Sequence, residues 1–241
     1  MILMSARASA GWLSRSWVSS RMASPARQPD HRERIERLVS ELAERPGSDR
    51  LFNPYAPPDD PKATIRRENL IRYLLDMHSL APRVLLVAEA PGYRGCALTG
   101  IPITSERIML RGIEKWGLFG DGYRQTSDHP QGVAEMTATI VWNALIEYAD
   151  WPPLIWNTVP WHPHKPGNRQ SNRTPGVAEQ REGVVFVKAV LALFEIEKIL
   201  AVGRTAQRRL AEQGYECLPL RHPSQGGKAE FIRGLRAALD T

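Results

Sequence analysis

The sequence predicts an α/β fold with a central four-stranded parallel sheet between two helical layers, a three-layer α/β/α arrangement. Short apolar runs alternate along the chain with longer segments whose apolar residues recur at helical spacing. The run at 84–88 is followed at once by Glu89 and a Pro-Gly turn. That pattern is typical of a buried parallel strand that delivers a polar residue to the carboxyl edge of a sheet. With 241 residues, the chain is long enough for one large domain of this class.

Strands are expected where short apolar runs end in Gly, Pro or polar residues, at 83–89, 153–157, 198–202 and 215–220. Helices are expected where apolar residues recur every three or four positions: from Asp30 to a stop at Pro46-Gly47, and at 62–79, 105–116, 133–149, 177–195, 204–213 and 227–239. Residues 48–61 are expected to be irregular. The long loop 158–176, rich in Pro, His, Asn and Arg, is expected to be functional or mobile.

The composition is typical of a soluble globular protein, with 42% apolar and 24% charged residues. No apolar run approaches the ~20 residues that a transmembrane helix needs, so no membrane partner is expected. The net charge of +6 is compatible with a polyanionic partner, because each neutralised phosphate releases counterions. Two cysteines, Cys96 and Cys217, are too few for an iron–sulfur cluster or a cysteine-only zinc site. They indicate free thiols in a reducing compartment, so we expect a cytoplasmic protein.

Residues 1–29 differ from the rest, with four arginines, many Ser and Ala, and no acidic residue before Asp30. This composition resembles an organelle transit peptide. We favour instead a disordered basic arm, or an upstream start codon, since Met4 and Met22 are alternative starts. The remaining residues, 30–241, are expected to form a single domain, with N-terminal helices at 30–80 and an α/β core at 83–240.

Polar side chains stand at the ends of three expected strands: Glu89, Asn157 and His222. Each has an ordinary explanation alone, as a solvated carboxylate, an Asx-turn residue and a surface histidine. The carboxyl ends of parallel strands meet at one edge of the sheet, where such folds bind their ligands. An acid, an amide and an imidazole at that edge therefore predict one cleft built from three distant loops.

Four short motifs at these strand ends occur in a fixed order. They are Ala88-Glu89-Ala90-Pro91-Gly92 with Thr99-Gly100-Ile101-Pro102, Asn157 with Asn172-Arg173-Thr174-Pro175, Gly203 opening a helix, and His222-Pro223-Ser224. In this order they resemble the uracil-DNA glycosylase superfamily, most closely the type whose first motif reads Gly-Glu-Ala-Pro-Gly, without the cluster-binding cysteines. The resemblance covers roughly 83–240. It implies a monomeric DNA-repair enzyme that needs no cofactor or metal, associated with the nucleoid if the source is bacterial.

The resemblance also implies roles for the three strand-end residues. Glu89 and His222 are the expected catalytic residues, and Asn157 is expected to bind the base. Cleavage of an N-glycosidic bond leaves positive charge on the sugar and negative charge on the base, which a carboxylate and an imidazole can stabilise. The amide of Asn157 offers the donor and acceptor needed to read a uracil edge. The target atom is hidden in duplex DNA, so the nucleotide must be flipped out.

The base pocket departs from its relatives at three positions. Related enzymes stack a Phe on the flipped base where this chain has Ile103, so either Ile103 serves as a weaker platform or another aromatic does so (Tyr55, Phe52 or Trp161). The strictly uracil-specific branch carries Asp and Tyr where this chain has Ala90 and Gly92. Glu89 must then take over the role of the Asp. The missing Tyr predicts a roomier pocket that also accepts deaminated purines.

Contacts with DNA are expected from two loops. In the first, Lys165, Arg169 and Arg173 are expected to meet phosphates, although a solvated basic loop has the same composition. In the second, Ser224, Gln225 and Gly226 follow His222, and the glycine allows backbone amides to approach a phosphate. Because no bulky wedge follows the His-Pro-Ser motif, either Gln225 or Arg221 fills the vacated stack, or flipping depends on a base pair that is already weakened.

Two other functions remain open on the sequence alone. The same fold could bind damaged or single-stranded DNA without excising a base, which the missing Asp and wedge would explain. A nucleotide-binding α/β hydrolase or transferase is disfavoured, because the chain has neither a dinucleotide-binding glycine fingerprint nor a Walker-type lysine loop.

Overall fold

The computed structural model describes residues 30–57 and 59–240. The expectations for the basic segment 1–29 lie outside these described residues. Within them, strands and helices alternate from residue 84 onward, as the sequence predicts. None of the helices among the described residues is long and apolar enough to cross a membrane.

Six strands are present among the described residues: β1 (Leu51–Phe52), β2 (Val84–Ala88), β3 (Leu154–Asn157), β4 (His162–Pro163), β5 (Lys198–Val202) and β6 (Leu218–Leu220). Four of them form a parallel sheet in the order β3-β2-β5-β6. The predicted α/β fold with a four-stranded parallel sheet is therefore confirmed, although β6 is shorter than expected. Ala88 lies beside Asn157 in the register, so β2 and β3 end level with each other.

Eight α-helices pack around this sheet in the described part of the chain: α1 (His31–Glu44), α2 (Pro61–Leu80), α3 (Cys96–Thr99), α4 (Glu106–Arg111), α5 (Met136–Tyr148), α6 (Val177–Leu191), α7 (Arg204–Glu212) and α8 (Lys228–Leu239). Side-chain caps explain several helix starts. Asp30 forms a capping box with Glu33 at the start of α1, and the Ser105 hydroxyl caps α4 as its position predicts.

Three regions differ from the prediction, one of which is the short helix α3, where no helix was expected. Strands β1 and β4 pair antiparallel inside segments that were expected to be irregular or loop. Two-residue strands carry no periodic signal, so only the tertiary contact reveals them. The helix expected at 105–116 ends at Arg111, because Gly112 adopts a φ of 76° and a short 3₁₀ turn, Glu114–Trp116, follows.

The hydrophobic core joins the N-terminal helices to the sheet. Ile35 and Leu42 of α1, and Leu74 of α2, are fully buried in the same apolar cluster as Leu86 and Leu200 of the sheet. Strands β2 and β3 are almost entirely buried, as a parallel sheet covered by helices on both faces requires, whereas Leu218 and Pro219 of the edge strand β6 are exposed. This packing holds the ends of the strands at one edge of the sheet. The polar residues that follow the strands therefore lie close to one another.

Candidate active site

A cleft of about 1040 Å³ opens at the carboxyl edge of the sheet. Seven segments build its walls: 88–92 at the end of β2, 95–96, 103–104, 135–137 at the start of α5, 172–174, 203–207 at the start of α7, and 219–225 at the end of β6. Glu89 and His222, which lie 133 positions apart (222 minus 89), both line it. The cleft therefore brings together an acid and an imidazole from different strands, as expected for an α/β sheet.

Glu89 presents a partly desolvated carboxylate to the cleft. Its Oε1 atom is buried and has no hydrogen-bond partner among the described residues. Burial raises the pKa of Glu89 above its usual 4.5, while a hydrogen bond from Thr205 and the charge of Arg208 partly offset the effect. A desolvated anion with a free oxygen exerts a strong local field and can accept a proton or orient a water.

His222 is held in one tautomer by its own loop. The backbone N–H of Ser224 donates to Nδ1 over 3.2 Å, and the Ser224 hydroxyl lies 2.8 Å from the same atom. Since Nδ1 accepts a hydrogen bond, the neutral ring carries its proton on Nε2. Burial lowers the pKa of His222 below 6.5, with the nearby Glu135 carboxylate opposing this shift and Arg221 adding to it. The imidazole is thus neutral at physiological pH, with Nε2–H as its donor.

The turn after His222 depends on glycine. Gln225 and Gly226 have φ values of 51° and 78°, a left-handed conformation that glycine adopts most readily. A Cβ on Gly227 would lie 2.1 Å from the His222 carbonyl oxygen, so this backbone approach excludes any side chain. The tight turn lets Ser224 fold back onto the imidazole, and it places Ser224 and Gln225 in the cleft wall. Gly226 and its neighbour Gly227 do not line the cleft.

Asn157 is buried next to the cleft rather than in its wall. It is 1% exposed, and its Oδ1 atom has no hydrogen-bond partner in the described part of the chain. Its strand neighbour Ala88 does line the cleft. Leaving a buried amide oxygen unpaired costs about 1–3 kcal/mol, so its persistence here marks a position where a ligand group could supply the missing donor.

The three candidates for base contact other than Asn157 all line the cleft: Ala90, Gly92 and Ile103. Ile103 has a φ of 43°, an unfavourable conformation for a β-branched residue and one of the kind that concentrates at functional sites. Its carbonyl accepts a 2.8 Å hydrogen bond from Trp142 Nε1, which holds the strained backbone in place. A Cβ added to Gly92 would meet only the Asn172 side chain, at 3.8 Å, so the cleft has room at this position.

The alternative stacking platforms do not reach the cleft. Tyr55 and Trp161 are 1% and 2% exposed, and their polar atoms bond the carbonyls of Gly100 and Leu42. The Phe52 ring lies against two guanidinium groups, those of Arg66 and Arg169. None of the three aromatic residues lines the cleft wall, whereas Ile103 does.

Arg173 lines the cleft, but its guanidinium is occupied by protein partners. Nη1 and Nη2 both bond the Glu179 carboxylate, and Nε donates to the His164 carbonyl over 3.0 Å. The two partners of the ion pair are 17% and 16% exposed, and Glu179 raises the pKa of Arg173. This geometry organises the loop and leaves Arg173 few donors for a phosphate.

The remaining basic candidates differ in position. Lys165 and Arg169 are exposed at the tip of the same loop and do not line the cleft. Arg221 lines it, with a long 4.0 Å ion pair to Glu230. Sequence reasoning overlooked Arg204, an exposed residue of the cleft wall at the first turn of α7.

Two polar residues of the cleft wall were also overlooked. Glu135 caps α5 by accepting from the backbone N–H groups of Thr137 and Ala138 at 2.9 and 2.5 Å. Asn172 accepts from the Tyr93 backbone N–H over 3.1 Å and ties the loop to the first motif. The Asn-Arg-Thr-Pro motif could have revealed Asn172, whereas a helix cap near His222 leaves no signal in the sequence.

The described residues contain no group of three or more His, Cys, Asp or Glu side chains arranged to hold a metal ion. Cys96 lines the cleft, but burial raises the pKa of its thiol to about 12. The thiol therefore stays protonated and is a poor nucleophile. The chemistry available in the cleft is that of a carboxylate, a neutral imidazole and hydrogen-bonding amides.

A family model described as the uracil DNA glycosylase superfamily matches residues 76–231. The chain belongs to this superfamily. The family resemblance predicted from the motifs is thereby confirmed, and membership indicates a DNA glycosylase, with DNA as its partner. Among solved structures, wild-type SMUG2 of Pedobacter heparinus has the same fold, with a TM-score of 0.61 and 14% identity over 87% of this chain and 97% of that one. No match was found among curated proteins.

Proposed function

We propose that the protein excises uracil from DNA: it flips the nucleotide into the cleft and hydrolyses the N-glycosidic bond, leaving an abasic site. One observation carries this proposal. Glu89 and Asn157 each leave a buried oxygen without a partner in the described part of the chain, at the sheet edge whose cleft also contains a histidine with Nε2 as its donor. A base with a ring N–H and carbonyl oxygens complements that set of atoms.

Asn157 and His222 would act on the base. The unpaired Oδ1 of Asn157 accepts the ring N–H of uracil, which satisfies an otherwise costly buried oxygen. Neutral His222 donates from Nε2 to the base oxygen that gains negative charge as the bond breaks. Because its pKa is lowered by burial, the imidazole keeps this neutral donor form through physiological pH. Donors aimed at developing charge commonly contribute about 10²–10³ in rate.

Glu89 would act on the sugar. Its carboxylate stabilises the oxocarbenium-like sugar and orients the attacking water, the role that an Asp at the position of Ala90 fills in the uracil-specific branch. The free Oε1 atom is available for that water. Thr205 and Arg208 hold the other side of the carboxylate ionised against the cost of burial.

DNA would lie across the basic rim of the cleft. We propose that Arg204 and Arg221 meet the phosphates beside the flipped nucleotide, and that Lys165 and Arg169 contact the strand further along. Ser224, Gln225 and Gly226 would approach the backbone through the glycine turn, with Gln225 or Arg221 covering the gap in the stack. Arg173 would act indirectly, because its guanidinium is committed to Glu179. One copy suffices, since a single chain builds the whole cleft.

We also propose a base range broader than uracil. Gly92 leaves room where a bulky side chain would exclude larger bases, and Ile103 offers a less shape-selective surface than an aromatic ring. Deaminated purines, hypoxanthine and xanthine, are the bases expected to enter. Activity limited to uracil across a panel of lesion oligonucleotides would contradict this part of the proposal.

The deciding experiment uses a labelled oligonucleotide with one uracil, incubated with the protein and then treated with alkali to cleave abasic sites. We expect strand scission at the uracil, and none in a matched oligonucleotide with thymine. A shifted band without scission would support the alternative, a non-catalytic binder of damaged or single-stranded DNA, for which Ala90 in place of the usual Asp is the motivating observation.

A further inference from the structure

A smaller hollow of about 530 Å³ adjoins the cleft. We call it the side pocket; it is lined by Gly92, Tyr93, Arg94, Ala134, Glu135, Met136, Thr139, Ile140 and Asn172. Gly92, Glu135 and Asn172 belong to both cavities, so these residues form the wall that divides them. If a ligand fills the cleft, the part of the same ligand that crosses this shared wall therefore enters the side pocket.

The chemistry of the side pocket differs from that of the cleft. Its surface is mostly apolar and includes Met136, which is 75% exposed at the first position of α5. Tyr93 and Ile140 are half-buried in the same wall. Scattered exposed apolar residues are normal on protein surfaces, but here they line one concavity with an aromatic ring. A flexible thioether beside an aromatic ring suits a flat, polarizable ligand.

Two polar side chains of the side pocket, Glu135 and Thr139, are already used in hydrogen bonds within the first turn of α5. Glu135 caps the backbone of α5, and the Thr139 hydroxyl donates to the Glu135 carbonyl over 2.7 Å. Arg94 is exposed on the rim, and no ion pair or hydrogen bond engages its side chain within the described residues. An apolar floor with a free guanidinium at its edge matches a nucleobase joined to a phosphate.

We propose that the side pocket binds the nucleobase immediately flanking the excised one, so that the protein holds two consecutive unstacked bases of the strand. This inference rests on the proposed function, which puts the target base in the cleft. The side pocket takes any base, because stacking on apolar and aromatic side chains reads no hydrogen-bonding edge. Arg94 contacts the phosphate on the far side of the dividing wall.

The test measures both excision and binding on single-stranded oligonucleotides with one uracil. In two further oligonucleotides, a tetrahydrofuran spacer replaces the base on the 5′ or the 3′ side of the uracil. For the wild type, one of the two spacers is expected to lower kcat/KM and affinity by about tenfold, the size of one lost stacking contact. The side that responds identifies the flanking base that the pocket holds.

Met136→Ser should abolish the effect of the spacer, because the substitution removes the exposed apolar floor of the side pocket. On the intact strand, the activity of this variant should fall about as far as the spacer lowers the activity of the wild type. Ile146→Ser is the matched control, an exposed apolar residue of the same helix outside both cavities. It should retain the full spacer effect. Tyr93→Ala provides a second variant, since the bond to Asn172 uses only the Tyr93 backbone.

The outcomes separate the two proposals. Equal excision and equal affinity whatever flanks the uracil would overturn the side pocket assignment and leave the proposed function standing. So would a Met136→Ser variant that keeps the full spacer effect. Spacer-dependent affinity without any excision would support the side pocket and overturn the proposed glycosylase activity.

Discussion

The cleft wall and the loop 158–176 both follow the ends of strands, and they use their polar groups in opposite ways. At the cleft, Glu89 in the wall and Asn157 next to it each keep a buried oxygen without a partner among the described residues. In the loop, His162 places both ring nitrogens against carbonyl oxygens, those of Pro91 and Arg169, at 2.8 and 3.1 Å, and Arg173 is tied to Glu179. His164 Nε2 is the exception among these loop groups, since it lacks a partner in the described part of the chain.

The difference between unpaired polar atoms at the cleft and paired ones in the loop indicates that the reactive groups lie at the cleft. A buried polar atom without a partner destabilises the fold by about 1–3 kcal/mol, and such costs persist mainly where function uses them. The loop instead uses its charges to order itself against the first motif and β1. Substitutions of Glu89, Asn157 and His222 should therefore reduce activity and spare stability, and substitutions of the paired loop groups, including Arg173 where the loop reaches the cleft, should do the reverse.

The largest contrast is expected between the half-buried His222 and the buried His162. His222→Ala should slow single-turnover excision of uracil by about 10²–10³ with little change in the free energy of unfolding. His162→Ala should lower that free energy by about 1–3 kcal/mol, because it removes a buried ring and the hydrogen bond that the single N–H of the neutral imidazole donates to a backbone carbonyl. Excision rates and urea unfolding curves measure the two effects. Equal loss of stability in both variants would remove the distinction between wall and loop.

Ionisation of two glutamates, Glu89 and Glu106, should change the free energy of unfolding in opposite directions. Burial raises the pKa of Glu89 above 4.5, because the folded protein favours the protonated carboxyl. The stabilisation from this protonated form is therefore present at low pH and is lost as pH rises through the raised pKa. Burial alone would also raise the pKa of Glu106, but hydrogen bonds from Ser127 and three backbone N–H groups (Val133, Ser127 and Thr126) lower it overall. Its contribution is present above pH 4.5 and is lost as pH falls.

At pH 8, Glu89→Gln should therefore raise the unfolding midpoint while slowing excision by about 10²–10³, and Glu106→Gln should lower the midpoint. In the wild type, the acid limb of the pH–rate profile should lie above 4.5, where Glu89 takes up its proton. Thermal unfolding at several pH values and single-turnover rates test both statements. A Glu89→Gln variant that is less stable than wild type at pH 8 would contradict the assignment.

Two arginines of the cleft wall extend the contrast to DNA binding. Arg173→Ala should lower the free energy of unfolding by about 2 kcal/mol, because it leaves Glu179 unpaired. Arg204→Ala should leave stability unchanged and weaken DNA binding. It should also reduce the slope of log K against log salt by about 0.7, the value for one phosphate contact on a single strand. An unchanged slope would remove Arg204 from the DNA interface.

The smallest effect is expected from the tautomer contact. Ser224→Ala removes the hydroxyl beside His222 Nδ1 but keeps the backbone N–H that donates to the same atom. One hydrogen bond is worth about 1 kcal/mol, or about fivefold in rate. A fivefold drop in the single-turnover rate at unchanged affinity would fit this role. A loss as large as that of His222→Ala would instead make Ser224 a direct participant.

Most helices and strands, and two of the site residues, were predictable because they depend on local sequence patterns. Apolar periodicity gave the helices near their bounds, and polar residues after apolar runs located Glu89 and His222 at the same edge. The rest depends on tertiary packing. The pairing of β1 with β4 joins segments about a hundred residues apart. The charge of an arginine does not show whether it is paired, as Arg173 is with Glu179, or open to a ligand, as Arg204 is. No sequence pattern indicates that the helix cap Glu135 lies near the imidazole of His222.

The central claim is that Asn157 keeps its buried oxygen unpaired in order to bind a base, and the variant Asn157→Leu tests it most directly. Leucine has the same branched shape as asparagine without its polar atoms, so the free energy of unfolding should stay equal or rise. Single-turnover excision of uracil should fall at least about 10²-fold. Excision at the wild-type rate, or unfolding several kcal/mol easier with activity retained per folded molecule, would contradict the account.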